Sequence, residues 1–174
     1  ELWIGTAGGL NKSPDNGLTW TNYNHTNQQN PISGNFVVAL AQQKTADKNI
    51  IWAATWKAEN LQEEYGLSKT ENGGLTWTVL LPGIKVQNIA ADGANVYVAT
   101  HDGLYKSPDY GATWFTFPPI KEKNSGEAVY TLEHYSVYAE NNLVWAGTAD
   151  GLARTSNNGY SWDIFRAFRQ TGQD

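Results

Sequence analysis

The residues best suited to chemistry gather in one loop. Between Thr55 and Gly66 the chain runs Trp56-Lys57-Ala58-Glu59-Asn60-Leu61-Gln62-Glu63-Glu64-Tyr65. An indole and a phenol flanked by acids and amides form a surface on which a sugar ring can stack while the polar groups bond its hydroxyls. His101-Asp102 and Asp150 occupy the corresponding short loops further along the chain. The expected ligand-contacting set is therefore Trp56, Glu59, Glu63, Glu64, Tyr65, His101, Asp102 and Asp150. A plainer alternative stands beside it. Large apolar side chains are usually buried, so Trp56, Leu61 and Tyr65 can equally fold the insertion back onto a neighbouring sheet. Asp102-Gly103 and Asp150-Gly151 also read as ordinary tight-turn pairs.

Other chemistries find little support. The three histidines, His25, His101 and His134, are far apart in sequence and form no metal motif. His134, with Glu133 and Tyr135, is placed at the end of a strand where it could line a central channel. With no cysteine in the chain, disulfides and thiolate zinc sites are excluded. No phosphate-binding glycine loop follows a strand, and no cofactor is expected. A net charge of -5 without any block of Lys or Arg argues against nucleic acid. No apolar run approaches the length of a membrane span. The partners that remain are glycans, other proteins, or further domains or blades of a longer chain.

The elements that must position these loops are set by an internal repeat. Gly9-Leu10, Gly66-Leu67, Gly103-Leu104 and Gly151-Leu152 are each followed, eleven residues after the glycine, by a tryptophan. Between them lie Ser13-x-Asp15-x-Gly17-x-Thr19-Trp20, Thr70-x-Asn72-x-Gly74-x-Thr76-Trp77, Ser107-x-Asp109-x-Gly111-x-Thr113-Trp114 and Thr155-x-Asn157-x-Gly159-x-Ser161-Trp162. We call this segment the box. Asp or Asn bonds nearby backbone N–H groups, glycine accepts positive φ, and the hydroxyls tie the ends, so the box predicts a hairpin turn.

Strands flank each box. Leu2–Thr6, Ile51–Thr55, Val96–Thr100 and Val144–Thr148 are rich in β-branched, aromatic and small residues, which suits a pleated surface packed on both faces. The Gly-Leu segments supply the next strand, and the box tryptophan starts the last. An opening strand is expected at Phe36–Ala41, Val86–Ala90 and Ala128–Leu132, and none precedes Leu2. The prediction is an all-β chain of propeller blades, three complete and one truncated, over about 1–24, 35–81, 84–118 and 127–165. The tail Ile164–Arg169 could supply the missing strand and close a small ring, but a segment of a larger propeller is the preferred reading.

The boxes resemble the Asp-box, or BNR, repeat of sialidases, xyloglucan-degrading propeller hydrolases, Vps10-type sorting receptors and many secreted bacterial propellers. The resemblance covers the whole chain. It implies structural hairpins, an extracellular or cell-surface location, and no single shared chemistry. Sialidases clamp a carboxylate with an arginine cluster, whereas this chain has only Arg154, Arg166 and Arg169. Likeness to the xyloglucanase-like propellers implies hydrolysis by two carboxyls across a cleft, drawn from Glu59, Glu63, Glu64, Asp102 or Asp150. The expected function is a binding or assembly module rather than an enzyme. A glycoside hydrolase and a purely structural segment are the alternatives.

Overall fold

The computed structural model describes residues 1–57 and 63–166. Four antiparallel sheets follow one another along the chain. The first holds β1 (Leu2–Thr6), β2 (Gly9–Ser13) and β3 (Thr21–Tyr23). The second holds β4 (Phe36–Lys44), β5 (Asn49–Trp56), β6 (Gly66–Thr70) and β7 (Thr78–Leu80). The third holds β8 (Val86–Asp92), β9 (Asn95–Thr100), β10 (Gly103–Ser107) and β11 (Phe115–Thr116). The fourth holds β12 (His134–Glu140), β13 (Leu143–Thr148), β14 (Gly151–Thr155) and β15 (Asp163–Phe165). Strands within each sheet are paired in sequence order, and successive sheets stack face to face as propeller blades.

Two strand expectations need correction. The inner strand of the fourth sheet is His134–Glu140, not Ala128–Leu132. Its register is set by Asn141 and Asn142, whose φ values of 51° and 64° make a two-residue hairpin turn joining Glu140 to Leu143. The earlier run instead meets Lys121 in an isolated bridge and leaves Tyr130 and Leu132 exposed. His134 therefore begins a strand, and it is buried rather than lining an open channel. Among the described residues the tail supplies no strand to the first sheet: Ile164 and Phe165 belong to β15, the outer strand of the fourth. Ala167–Arg169 lie outside the described residues.

Each box folds by the same hydrogen bonds. The Ser107 hydroxyl donates to Asp109 Oδ1 at 2.8 Å and accepts from the Gly111 N–H at 2.7 Å. Asp109 Oδ1 accepts from the Thr113 N–H at 2.8 Å, and Oδ2 from its hydroxyl at 2.6 Å. Ser13, Asp15, Gly17 and Thr19 repeat the pattern. In the other two boxes the last bond reverses: the amides of Asn72 and Asn157 donate to the hydroxyls of Thr76 and Ser161, each at 2.8 Å. Hydroxyl acceptors and donors can turn to suit either partner, so Asp and Asn are interchangeable here at neutral pH.

They are not interchangeable in acid. The Thr113 hydroxyl, and then its N–H, hold the Asp109 carboxyl down to about 2, and Thr19 does the same for Asp15, also about 2. Unfolded Asp titrates near ~3.9. A depressed folded value contributes stability above the unfolded value and loses it as pH falls through the folded one. The double variant Asp15→Asn/Asp109→Asn is thus expected to melt with a flatter acid limb between about pH 4 and pH 2 than the parent. Parallel melting curves over that window would contradict the assignment.

The sequence predicts the box as a hairpin turn. The structure shows it is also the joint between sheets. Its left-handed residue (Gly73, Tyr110 or Asn158, φ 58–70°) accepts a bond from a lysine of the preceding sheet. Lys12 Nζ donates to Gly73 O at 3.0 Å, Lys69 Nζ to Tyr110 O at 2.8 Å, and Lys106 Nζ to Asn158 Oδ1. The same lysines lie over Trp3, Trp52 and Tyr97 of their own sheets, 5.1–5.7 Å from the ring centroids. The box indole completes the joint. Trp77 meets Trp3 edge-on at 6.2 Å, Trp114 meets Trp52 at 6.3 Å, and Trp162 meets Phe117 at 5.8 Å.

Candidate functional site

One rim of the stacked sheets carries the ends of β5, β9 and β13, the starts of β4, β8 and β12, and the loops that follow the second-strand threonines. In three sheets that loop is a short turn tied by the threonine itself. Thr6, Thr100 and Thr148 donate through Oγ1 to the carbonyls of Gly9, Gly103 and Gly151 at 2.8–3.0 Å. In the second sheet the Thr55 hydroxyl meets Ser33 Oγ at 2.6 Å instead.

Trp56 ends β5 and leans on the third sheet. Its Nε1–H donates to Val86 O at 2.7 Å, and Lys85 Nζ lies 4.3 Å from the ring centroid. Phe36, half exposed, tilts against it at 6.2 Å. Tyr65 is half-buried, with Lys57 Nζ 5.7 Å from its ring centroid. Trp56 and Tyr65 are both half-buried, Trp56 against the third sheet. Glu59 and Leu61 lie outside the described residues.

The acids divide by partner. Glu63 is buried and accepts from the backbone N–H of Asn35 at 3.0 Å and from its side-chain amide at 2.6 Å, pinning the end of the insertion to the connector before β4. Glu64 is exposed, and its N–H donates to Ser33 O. The Thr100 hydroxyl shares its one proton between Gly103 O and Asp102 Oδ1, 2.6 Å away, and Asp102 sits 3.4 Å from Tyr105 Oη, as a turn residue would. Asp150 is clamped by Arg166 through Nε at 3.0 Å and Nη2 at 2.7 Å, and this guanidinium holds its carboxyl below the usual Asp range. A general acid needs the opposite shift. His101 is exposed, and its N–H donates to the carbonyl of Lys85, the residue whose Nζ lies over the Trp56 ring. Asp150 instead groups with Arg166 and Tyr130.

Sequence reading placed Glu133 and Tyr135 beside His134 at a strand end, but not the group they form with Gln87 on the same rim. Each inner strand carries a bulge near its start, with Val38, Gln87 and Tyr135 as the extra residues. Bulges re-aim side chains and are frequent beside sites. Gln87 Nε2 donates to Glu133 Oε1 at 3.4 Å, and the Tyr135 hydroxyl donates to Glu133 Oε2 at 3.1 Å. The Glu133 bond raises the Tyr135 phenol above its ordinary value. Gln87 is one residue from Val86, the acceptor for Trp56, so the two groups are continuous across the second, third and fourth sheets. Period-two alternation gives no sign of a bulge, which is why the group was not legible. His134, next to Tyr135, is excluded from it. Its Nδ1 bonds Leu132 O at 2.6 Å, and burial pushes its pKa down. Among the described residues no cluster of His, Asp and Glu could hold a metal ion.

No protein-family model and no curated protein sequence matches the chain. Solved structures do. An ancestral GH74 enzyme aligns at 19% identity and a TM-score of 0.66, covering 94% of this chain and 22% of its own. The extracellular domain of a hybrid two component system from B. thetaiotaomicron aligns at 20% and 0.67, covering 95% and 23%. The GH74 xyloglucanase from Xanthomonas campestris aligns at 19% and 0.60, covering 95% and 28%. The chain thus spans between a fifth and a third of the length of these structures. No helix among the described residues is long and apolar enough to cross a membrane. At these identities the likeness establishes the fold, and the fold is a β-propeller.

Proposed function

We propose that the chain is a segment of an Asp-box propeller acting outside the cell as a glycan-binding module, with contact at the bulge-bearing rim. The observation that carries the reading is the Gln87–Glu133–Tyr135 group. An amide, a carboxylate and an exposed phenol are joined across two sheets and continue to Phe36 and Trp56. Sugar recognition uses these components: aromatic faces for the ring and paired polar groups for the hydroxyls. The likeness to a xyloglucanase and to extracellular sensor domains is consistent with such a ligand and location. Hydrolysis is the weaker reading, because Glu63 bonds the Asn35 backbone, Asp102 bonds its own turn, and Arg166 holds Asp150 ionised.

Calorimetric titration with xyloglucan oligosaccharides tests it. Tyr135→Ala removes an exposed ring without touching the sheet stack, and it is expected to weaken binding about tenfold, or about 1.4 kcal/mol. Trp56→Ala is expected to do at least as much. A parent that binds none of these sugars, or a Tyr135→Ala variant that binds them as the parent does, would overturn the assignment.

A further inference from the structure

In three of the four boxes the carbonyl of the box glycine accepts a side-chain donor. Gly17 O and Gly111 O accept from Nε1–H of Trp20 and Trp114, each at 3.1 Å. Gly74 O accepts from Nε2–H of Gln28, in the connector before β4, at 2.7 Å. The fourth box differs. Among the described residues nothing donates to Gly159 O, and Trp162 Nε1–H has no acceptor. The connector before β12 sends no side chain to that carbonyl, and a cavity of about 450 Å³ remains there. Pro118, Pro119 and Lys121 line it from the connector, and Gly159, Tyr160 and Trp162 from the box. Both walls are fixed in advance. Lys123 N–H donates to Trp162 O at 2.9 Å, Glu122 bridges Trp162, and Ile120 is buried. Phe117 meets the Trp162 ring edge-on at 5.8 Å. Walls already in place bind without the cost of ordering them.

We propose that this cavity binds a sugar carrying a carboxylate, such as a uronic acid unit of a polysaccharide. Its volume falls in the range of small-ligand pockets, about 300–1,000 Å³. Tyr160 is 91% exposed although the third and fourth sheets, which flank the cavity, both have four strands. Its ring is free to lie against a pyranose face. Gly159 O and Trp162 Nε1–H offer an acceptor and a donor to the sugar hydroxyls. Lys121 supplies the charge, being exposed and in no ion pair among the described residues. The nearby acids are already engaged. Asp163 pairs with Lys123 at 2.6 Å and with Arg154 at 2.8 Å. The Glu122 carboxylate accepts from the N–H groups of Asn124 and Ser125 in its own turn. This local excess of cations runs against the chain's net charge of -5 and selects an acidic sugar over a neutral one. The box follows Thr155, at the end of β14 opposite the rim, so the site is separate from the rim and does not rest on that reading.

Nuclear magnetic resonance of the isotope-labelled chain is the test, with digalacturonate, glucuronate, a neutral galactose disaccharide and triglutamate as probes. The Trp162 indole N–H signal, identified by its loss in Trp162→Phe, is expected to move with the uronates at millimolar concentration and to stay in place with the other two. Tyr160→Ala and Lys121→Gln change exposed side chains, so both are expected to fold as the parent does. Each is expected to weaken uronate binding about tenfold, read by calorimetry. Lys121→Gln is also expected to flatten the dependence of binding on salt. Should Trp162→Phe fail to fold, these two affinities carry the test alone. Uronates that leave the signal in place, a neutral disaccharide or triglutamate that binds as tightly as they do, or parental affinity in either variant would each overturn the proposal.

Discussion

Trp52→Ala is expected to cost about 3–5 kcal/mol of unfolding free energy, the range for deleting a large aromatic from a core. Trp52 is fully buried. It meets Trp114 edge-on, lies beneath Lys69, and donates through Nε1 to Gln43 Oε1 at 3.0 Å. Gln43 in turn donates to Gly93 O in the third sheet at 2.8 Å. The substitution therefore empties a cavity and strips a buried amide of a partner in one step. Against a typical total of about 5–15 kcal/mol, that loss leaves little margin. Trp145→Ala is the internal control. It occupies the same position in the fourth sheet but is only half-buried, and it is expected to lose less than about 1.5 kcal/mol. Urea melts of both variants, analysed at equal m, make the comparison.

Gly111→Ala is expected to destabilise by about 2–4 kcal/mol, for two separate reasons. Gly111 has φ 87°, a conformation that L side chains rarely adopt. A Cβ placed there would also stand 2.6 Å from Trp52 Cη2, inside contact distance of a fully buried ring. Gly17→Ala separates the two causes. Its φ of 95° carries the same backbone strain, but the nearest atom to an added Cβ is Trp20 Cζ2 at 3.7 Å. Gly17→Ala is therefore expected to cost about 1 kcal/mol, the backbone share alone. Equal losses at the two glycines, read from thermal and urea unfolding, would mean that the joint is not as tight as described.

Much of the fold was legible because the repeat is local. Eleven residues separate each Gly-Leu from its tryptophan, and every bond of the box falls inside that span. What failed was local too, but ambiguous. Ala128–Leu132 and His134–Glu140 both offer strand-like side chains, and the two consecutive asparagines after Glu140 are what select the second. An Asn-Asn pair is a recognisable hairpin signal, so this strand was within reach of the sequence. The joint was not. Lys12 and Gly73 are 61 residues apart, and nothing in either segment names the other. The rim group was hidden for the same reason. Gln87 and Glu133 are separated by 46 residues, Gln87 in one bulge and Glu133 just before another. The loop singled out for chemistry proved to be tied down at both described ends, by Trp56 on Val86 and by Glu63 on Asn35. Composition marked it as unusual without showing which way its rings faced.

The stacking joint is the claim on which the rest depends, and a double-mutant cycle measures it directly. Trp52→Leu and Trp114→Leu, singly and together, are expected to show a coupling of about 0.5–1.5 kcal/mol, the usual value for an edge-on aromatic pair. Trp52→Leu with Trp20→Leu, which belong to a pair of sheets joined through other residues, is expected to be additive within about 0.5 kcal/mol. Additivity in the first cycle, or equal coupling in both, would contradict a joint built from one sheet's aromatic and the next sheet's box indole.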